Sequence, residues 1–155
     1  MKRVLFVCLG NICRSPAAEG VFRALAAKED VEVYIDSAGT GGWHEGHSPD
    51  QRMMAAAKRR GYDLSAQRAR KVDLADFYEF DYLMAMDLSN HANLLSMAPP
   101  NRDCDIRLLL DFGTGPEREV PDPYYGGDGG FEHVLDLIED AARGFLEHIR
   151  KDDAQ

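Results

Sequence analysis

Four consecutive apolar residues, Val4-Leu5-Phe6-Val7, run into a loop that ends in Arg14-Ser15-Pro16. A run apolar at every position suits a strand covered on both faces, the habit of parallel sheets. Pro16 suits the first turn of a helix, where a missing N–H costs nothing. The stretch therefore predicts strand, loop and helix, with Cys8 closing the strand and Arg14 at the helix entrance. Five residues separate Cys8 from Arg14, enough to curl the chain into a ring. N–H groups of such a ring can point inward beside the positive end of the helix. The ring is a nest for a tetrahedral oxyanion, with a sulfur on its floor.

The residue types agree with that chemistry. A thiolate attacks and a thiol does not, so Cys8 needs N–H dipoles, a helix end or a cation nearby. Arg14 offers a planar fork for two phosphate oxygens at once. Gly10 permits dihedrals or a close approach that a side chain would forbid. Asn11 tolerates the left-handed region and can brace the loop with its amide. Ser15 either caps the helix or donates to the Cys8 sulfur, and its position does not separate the two.

Cys8, five residues, Arg14 and Ser15, with Leu9-Gly10-Asn11-Ile12-Cys13 between them and an N-terminal strand in front, resemble the signature of the low-molecular-weight protein tyrosine phosphatases. The resemblance runs from about Lys2 to the last helix. It implies a three-layer α/β/α fold, a four-stranded parallel sheet with helices on both faces, as one domain over residues 1–155. It also implies hydrolysis of phosphotyrosine in proteins and of small aryl phosphates through a phosphocysteine. Phosphotyrosine-containing proteins or peptides would be the substrates, and inorganic phosphate or other oxyanions the inhibitors. No cofactor or metal is called for.

Composition narrows the setting. A chain of 155 residues, 45% hydrophobic and 29% charged, suits one globular domain. Three cysteines argue against a disulfide framework. No apolar run is long enough to cross a bilayer, and Met1-Lys2-Arg3 leads straight into the first strand, so a cytoplasmic protein without a membrane partner is expected. The formal charge of −9 speaks against nucleic acid. It also means that the local field of the loop must attract an anionic substrate.

Along the chain, Ala17–Lys28 reads as a helix with Val21, Phe22 and Leu25 on one face. Val31–Ile35 reads as a strand, and Ser37 follows at the edge where ligands gather in open α/β sheets. Ser37 is a solvated turn serine or, by the resemblance, a support of the phosphate loop. Trp43, the single tryptophan, is a core plug or, by the resemblance, a wall flanking the substrate ring. His44 and His47 lack a third ligand at a convincing spacing and are expected to be solvated. A helix is expected from Pro49 to Arg60, with Ser48 and Gln51 as a capping box and Lys58-Arg59-Arg60 at its negative end. Gln67 stands where many relatives carry a His that braces the phosphate loop; Gln can hydrogen-bond but cannot become cationic. Arg68 and Arg70 lie either near the loop or in solvent, and solvent is the expected place. Asp81–Met86 and Ile106–Leu110 read as strands, with Asp87 capping the helix between them or supporting the site, as the resemblance implies. Phe131, Val134, Leu135, Ile138, Ala142, Phe145 and Ile149 keep helical spacing and are core positions.

Phosphate-ester cleavage also needs an acid for the leaving oxygen. Asp122 lies between Pro121 and Pro123, which fix the backbone on either side, and Tyr124 and Tyr125 follow. Burial beside the tyrosines would favour the protonated acid. Asp122-Pro123-Tyr124-Tyr125 matches the family's acid loop, with both tyrosines at the substrate wall. The resemblance further implies that Cys13 can trap oxidised Cys8 as a disulfide. Three other readings compete. Arsenate reduction would want further redox cysteines, and only Cys104 remains. Relatives that act on phosphoarginine place Thr where Ile12 stands and lack the double tyrosine. A non-catalytic phosphate-binding module would leave Cys8, Arg14 and Asp122 together unexplained.

Overall fold

The apolar run lies in the middle of the sheet. In the computed structural model, which describes residues 1–123 and 128–153, β1 (Lys2–Cys8) sits between β2 (Val33–Gly39) and β3 (Tyr82–Ala85). β4 (Asp105–Leu108) completes the order β2-β1-β3-β4, and every pairing is parallel. Parallel neighbours need crossovers, and helices supply them. α1 (Arg14–Lys28) links β1 to β2, and α2 (Gln51–Arg59) with the short α3 (Asp76–Glu79) links β2 to β3. α4 (Leu88–Met97) links β3 to β4, and α5 (Asp128–Asp153) follows a 3-10 turn at Leu109–Phe112. This is the three-layer α/β/α arrangement expected from the sequence.

Alternation along β1 divides the core in two. Val4 and Phe6 pack in the cluster that holds α1 and α5, while Leu5 and Val7 pack with Phe77, Phe80 and Leu94 on the opposite face. Phe6 meets Phe22 edge-on at 5.5 Å, and Phe22 stacks on Phe145 at 5.2 Å between ring centres. All seven apolar positions expected along the last helix are buried.

Several boundaries differ from the sequence reading, each for a hydrogen-bonding reason. α1 starts at Arg14 rather than Ala17, because the Ala17 N–H donates to the Cys13 carbonyl and closes the first turn earlier. The second strand runs from Val33 to Gly39, since pairing with β1 continues to Cys8 opposite Gly39. Asp50, not Ser48, caps α2: its carboxylate accepts from the Arg52 and Met53 N–H groups. The fourth strand ends at Leu108, where the chain turns into the 3-10 segment.

The fold brings three chain segments to one place. The order β2-β1-β3 means the chain leaves β1 in opposite directions, and the crevice at such a reversal lies beyond the strands' C-terminal ends. Cys8 closes β1 there, Gly39 closes β2, and Asp87 follows β3.

Candidate active site

The loop after Cys8 is held from outside by its own carbonyls. Cys8 and Leu9 carbonyls accept from the Thr40 and Gly41 N–H groups at 2.9 Å each, and the Ile12 carbonyl accepts from Asp50 N–H at 2.7 Å. In a planar trans peptide, a carbonyl and the next N–H point in opposite directions. The N–H groups of Leu9, Gly10 and Cys13 are therefore aimed away from those braces, toward the cleft. Arg14 N–H joins them at the start of α1, where the helix leaves its first N–H groups unpaired.

Asn11 shapes the loop from within. Its φ of 57° is left-handed, a conformation Asn accepts more readily than most side chains. Its amide orientation is fixed by chemistry: the Arg70 N–H can only donate, so the Asn11 oxygen lies there, at 3.0 Å. The Asn11 NH2 then donates to Ser15 Oγ at 2.8 Å and Ser37 Oγ at 3.0 Å. Ser37 in turn donates to the Glu19 carboxylate at 2.8 Å, and Glu19 pairs with Arg23 at 2.7 Å. Asn11, Ser15, Glu19 and Ser37 are all buried. Ser15 accepts from Asn11 and lies 3.0 Å from the Cys8 sulfur, nearer than the Ala38 carbonyl at 3.4 Å. The geometry thus sets Ser15 against the sulfur rather than at the helix cap, a position that Cys13 holds.

Arg14 is fixed just as closely. Its Nη1 donates to Asp87 at 2.7 Å and to the Val120 carbonyl at 2.9 Å, and its side chain is only 3% exposed. Burial alone works against the guanidinium charge. The nearby Cys8, Asp87 and Asp122 outweigh it and hold Arg14 charged above its ordinary value. Asp87 serves two ends, because its other oxygen accepts from Asn90 N–H at 2.7 Å and caps α4. Val120 is locked in turn by its own N–H on the Met86 carbonyl at 2.8 Å. Burial, then Asp50, pushes the Cys13 thiol well above its ordinary range, so it stays protonated beside Cys8.

A cavity of about 390 Å³ opens over the loop, lined by Cys8, Leu9, Gly10, Ile12, Cys13, Arg14, Trp43, His44 and Asp122. Asp122 faces into it, with Oδ2 3.7 Å from Arg14 Nη2. Its side chain is 37% exposed, more open than the burial expected from sequence; Tyr124 and Tyr125 lie outside the described residues. Trp43 is 70% exposed and stands on the cavity rim rather than in the core.

Other expectations need correcting. Gln67 braces α1 rather than the loop itself, through Nε2 to the Pro16 carbonyl at 3.0 Å. Arg70 is not a solvated arginine: it bridges Asp36 and Asp76 while its N–H holds Asn11. His44 lines the cavity instead of standing in solvent. Gly39 was not singled out, yet a Cβ there would fall 2.8 Å from the Leu9 carbonyl oxygen, so only glycine lets β2 end against the loop. Glu19 and Val120 were also missed as supports, since a helix-face glutamate and a loop valine carry no local signal. Among the described residues, no group of three or more His, Cys, Asp or Glu side chains is placed to hold a metal ion.

A cysteine, a fixed guanidinium and inward-aimed amides at the switch point of a parallel sheet define a class of α/β proteins built to hold a tetrahedral oxyanion against sulfur. The comparisons narrow it. The model of the low molecular weight phosphotyrosine protein phosphatases matches residues 3–155. The chain is similar to the low molecular weight protein-tyrosine-phosphatase YfkJ of Bacillus subtilis, 44% identical over 155 residues, with 98% of each chain covered. It superposes on a protein tyrosine phosphatase from Entamoeba histolytica, solved with Hepes in the active site, with a TM-score of 0.95, 42% identity and 99% of both chains covered. It also superposes on a Drosophila arginine phosphatase with a TM-score of 0.91 and 38% identity, over 96% of this chain and 98% of that one. This chain belongs to the low molecular weight phosphotyrosine protein phosphatase family.

Proposed function

We propose that the protein hydrolyses phosphotyrosine in proteins and peptides through a phosphocysteine, with Cys8 as nucleophile, Arg14 as phosphate clamp and Asp122 as acid and then base. The observation that carries this reading is the Asp122 carboxyl lining the cavity over Cys8, 3.7 Å from the Arg14 guanidinium. In the first step the Cys8 thiolate attacks phosphorus in line. The S–P bond forms, the P–O(aryl) bond breaks, and Asp122 gives its proton to the departing phenolate oxygen. Arg14 holds two phosphate oxygens through the edge not engaged by Asp87 and Val120. The loop N–H groups hold the equatorial oxygens, which gain from donors already in place. Ser15 donates to the Cys8 sulfur and stabilises it as nucleophile and as leaving group. In the second step the Asp122 carboxylate takes a proton from water, oxygen attacks phosphorus, and the S–P bond breaks to release phosphate and free Cys8.

Trp43 and Ile12 supply apolar surface at the cavity for the aryl ring. Similarity to a Drosophila arginine phosphatase gives phosphoarginine a second reading. Ile12 in the lining favours the ring, because an isoleucine cannot hydrogen-bond a phosphoguanidine. The test compares para-nitrophenyl phosphate, a phosphotyrosyl peptide and a phosphoarginyl peptide. The expected result is turnover of the first two, with burst release of nitrophenol. Cys8→Ser should lower kcat on the order of 10⁵-fold or more; a Cys8→Ser protein that still turned over would overturn the covalent route.

A further inference from the structure

The segment that carries Asp122 is held on both sides of the carboxyl. Before it, the Val120 N–H is fixed on Met86 and the Val120 carbonyl on Arg14. After it, Pro123 is buried. A Cβ on Gly130 would lie 3.6 Å from Pro123 Cβ and 3.9 Å from its Cα, ordinary packing distances, so Pro123 rests against bare backbone in the first turn of α5. Where that turn stands therefore bears on where the Asp122 carboxyl stands.

Phe131 follows Gly130 and is 1% exposed. The Arg52 guanidinium lies over its ring, 4.8 Å from the centre, within the range of a cation on an aromatic face. Arg52 belongs to the first turn of α2, and Asp50, which caps that turn, gives its N–H to the Ile12 carbonyl of the phosphate loop. The Asp50 carboxylate also pairs with the Arg52 guanidinium, but the Arg52 side chain is 42% exposed and such a pair contributes little. The ring contact is the part that reaches α5. One line of contacts thus runs from Ile12 through the Asp50 backbone and Arg52 to Phe131, Gly130 and Pro123.

Resting on the reading of Asp122 as the acid, we propose that Arg52 is a positioning residue. Seated on Phe131, it ties the start of α5, and with it Pro123, to the brace of the phosphate loop, and so sets the reach from Asp122 to the leaving oxygen over Cys8. Arg52 is not among the described residues that line the cavity, so it acts on the chemistry through these neighbours. The body of α5 is docked by other means. Arg59 and Arg60, at the far end of α2, pair with Glu132, Asp136 and Glu139. Those ion pairs keep α5 on α2 when Arg52 is changed, and a change at Arg52 then alters aim rather than folding.

The test measures kcat/KM of the intact protein on para-nitrophenyl phosphate and on phenyl phosphate. Para-nitrophenolate departs with little help, whereas phenolate needs the proton. A misplaced acid therefore shows as a loss that is larger for phenyl phosphate. A cation over a ring at a partly exposed site favours one arrangement by up to about fivefold. Arg52→Met should lower kcat/KM by about fivefold for phenyl phosphate and by less than about twofold for para-nitrophenyl phosphate. Phe131→Leu should show the same selective loss from the other side of the contact. The double variant should lose no more than the larger of the two single losses. The proposal is overturned if Arg52→Met loses equally on both esters, which would make its charge an aid to phosphate binding, or if it loses nothing. It is also overturned if the losses of the two single variants multiply. Asp122→Ala is measured beside them. A selective loss in Asp122→Ala with an unselective one in Arg52→Met overturns the proposal and leaves Asp122 as the acid. An equal loss on both esters in Asp122→Ala overturns the acid reading and the proposal together.

Discussion

The floor and the rim of the cleft are built by opposite means. On the floor, Ser15 and Arg14 are 0% and 2% exposed, and the loop is held by partners from other elements. On the rim, Trp43 is 70% exposed and the Asp122 side chain 37%. The rim is tied down next door to its functional groups: Val120 anchors the segment before Asp122, and Gly41 seats the indole. The difference follows from what each part must do. Donors that stabilise developing charge act best when already oriented and shielded from water. In the proposed function, a proton donor and a substrate wall must stay open to a substrate that comes and goes.

Asp122→Ala should separate the two regions most sharply. It should lower kcat for phosphotyrosine by about 10²–10⁴-fold, the range for losing a positioned acid, with smaller losses for esters of acidic phenols. Stability should move by no more than about 0.5 kcal/mol, as expected for an exposed position. A loss in the variant that is the same for acidic and weakly acidic phenols would remove the acid from the rim.

Asn11→Ala should strike activity and stability together. It takes a donor from Ser15 and Ser37, which keep their other partners, leaves the Arg70 N–H without its acceptor and puts alanine at φ 57°. A loss of about 2–3 kcal/mol in urea unfolding is expected, from roughly 1–3 kcal/mol per stranded polar group, with kcat down about tenfold or more. Full activity in this variant would show that the floor does not depend on its buried network.

Trp43→Ala should act on the rim alone. KM for aryl phosphates should rise about fivefold through lost ring contact, with kcat and urea midpoint little changed. An unaltered KM would leave the indole without a part in binding.

The smallest effect belongs to the joint between α2 and the loop. Burial alone would raise the Asp50 carboxyl, but the Arg52 side chain and the Met53 and Arg52 N–H groups hold it below its ordinary range. A depressed carboxyl contributes stability above its unfolded-state value, near 3.9, and loses it as pH falls through the folded-state value. Asp50→Ala should cost about 1 kcal/mol at neutral pH and less in acid. Activity should hold, because the bond to Ile12 comes from the Asp50 backbone N–H. Equal costs at neutral and acid pH would detach the cap from that carboxylate.

Much of this was legible along the chain. Val4–Val7 announced a doubly covered strand, Cys8–Pro16 announced the strand–loop–helix turn, and the last helix showed its core face in its spacing. Those signals are local: periodicity, proline placement and a motif of contiguous residues report what neighbouring peptides can do. The sequence did not show why the loop holds its shape. Glu19, Arg70 and Val120 are unremarkable in their own segments and act only through partners 18, 59 and 106 positions away. The place of His44 beside Gly10 in the cavity lining was hidden for the same reason, since it joins two loops from different crossovers. By itself, then, the sequence determined the elements, their order and the chemical groups offered at the sheet's edge. Tertiary structure decided which groups are buried, which way the Asn11 amide faces, and whether Ser15 serves the helix or the sulfur. These outcomes depend on donors and acceptors that meet only when the parallel sheet brings distant strand ends together.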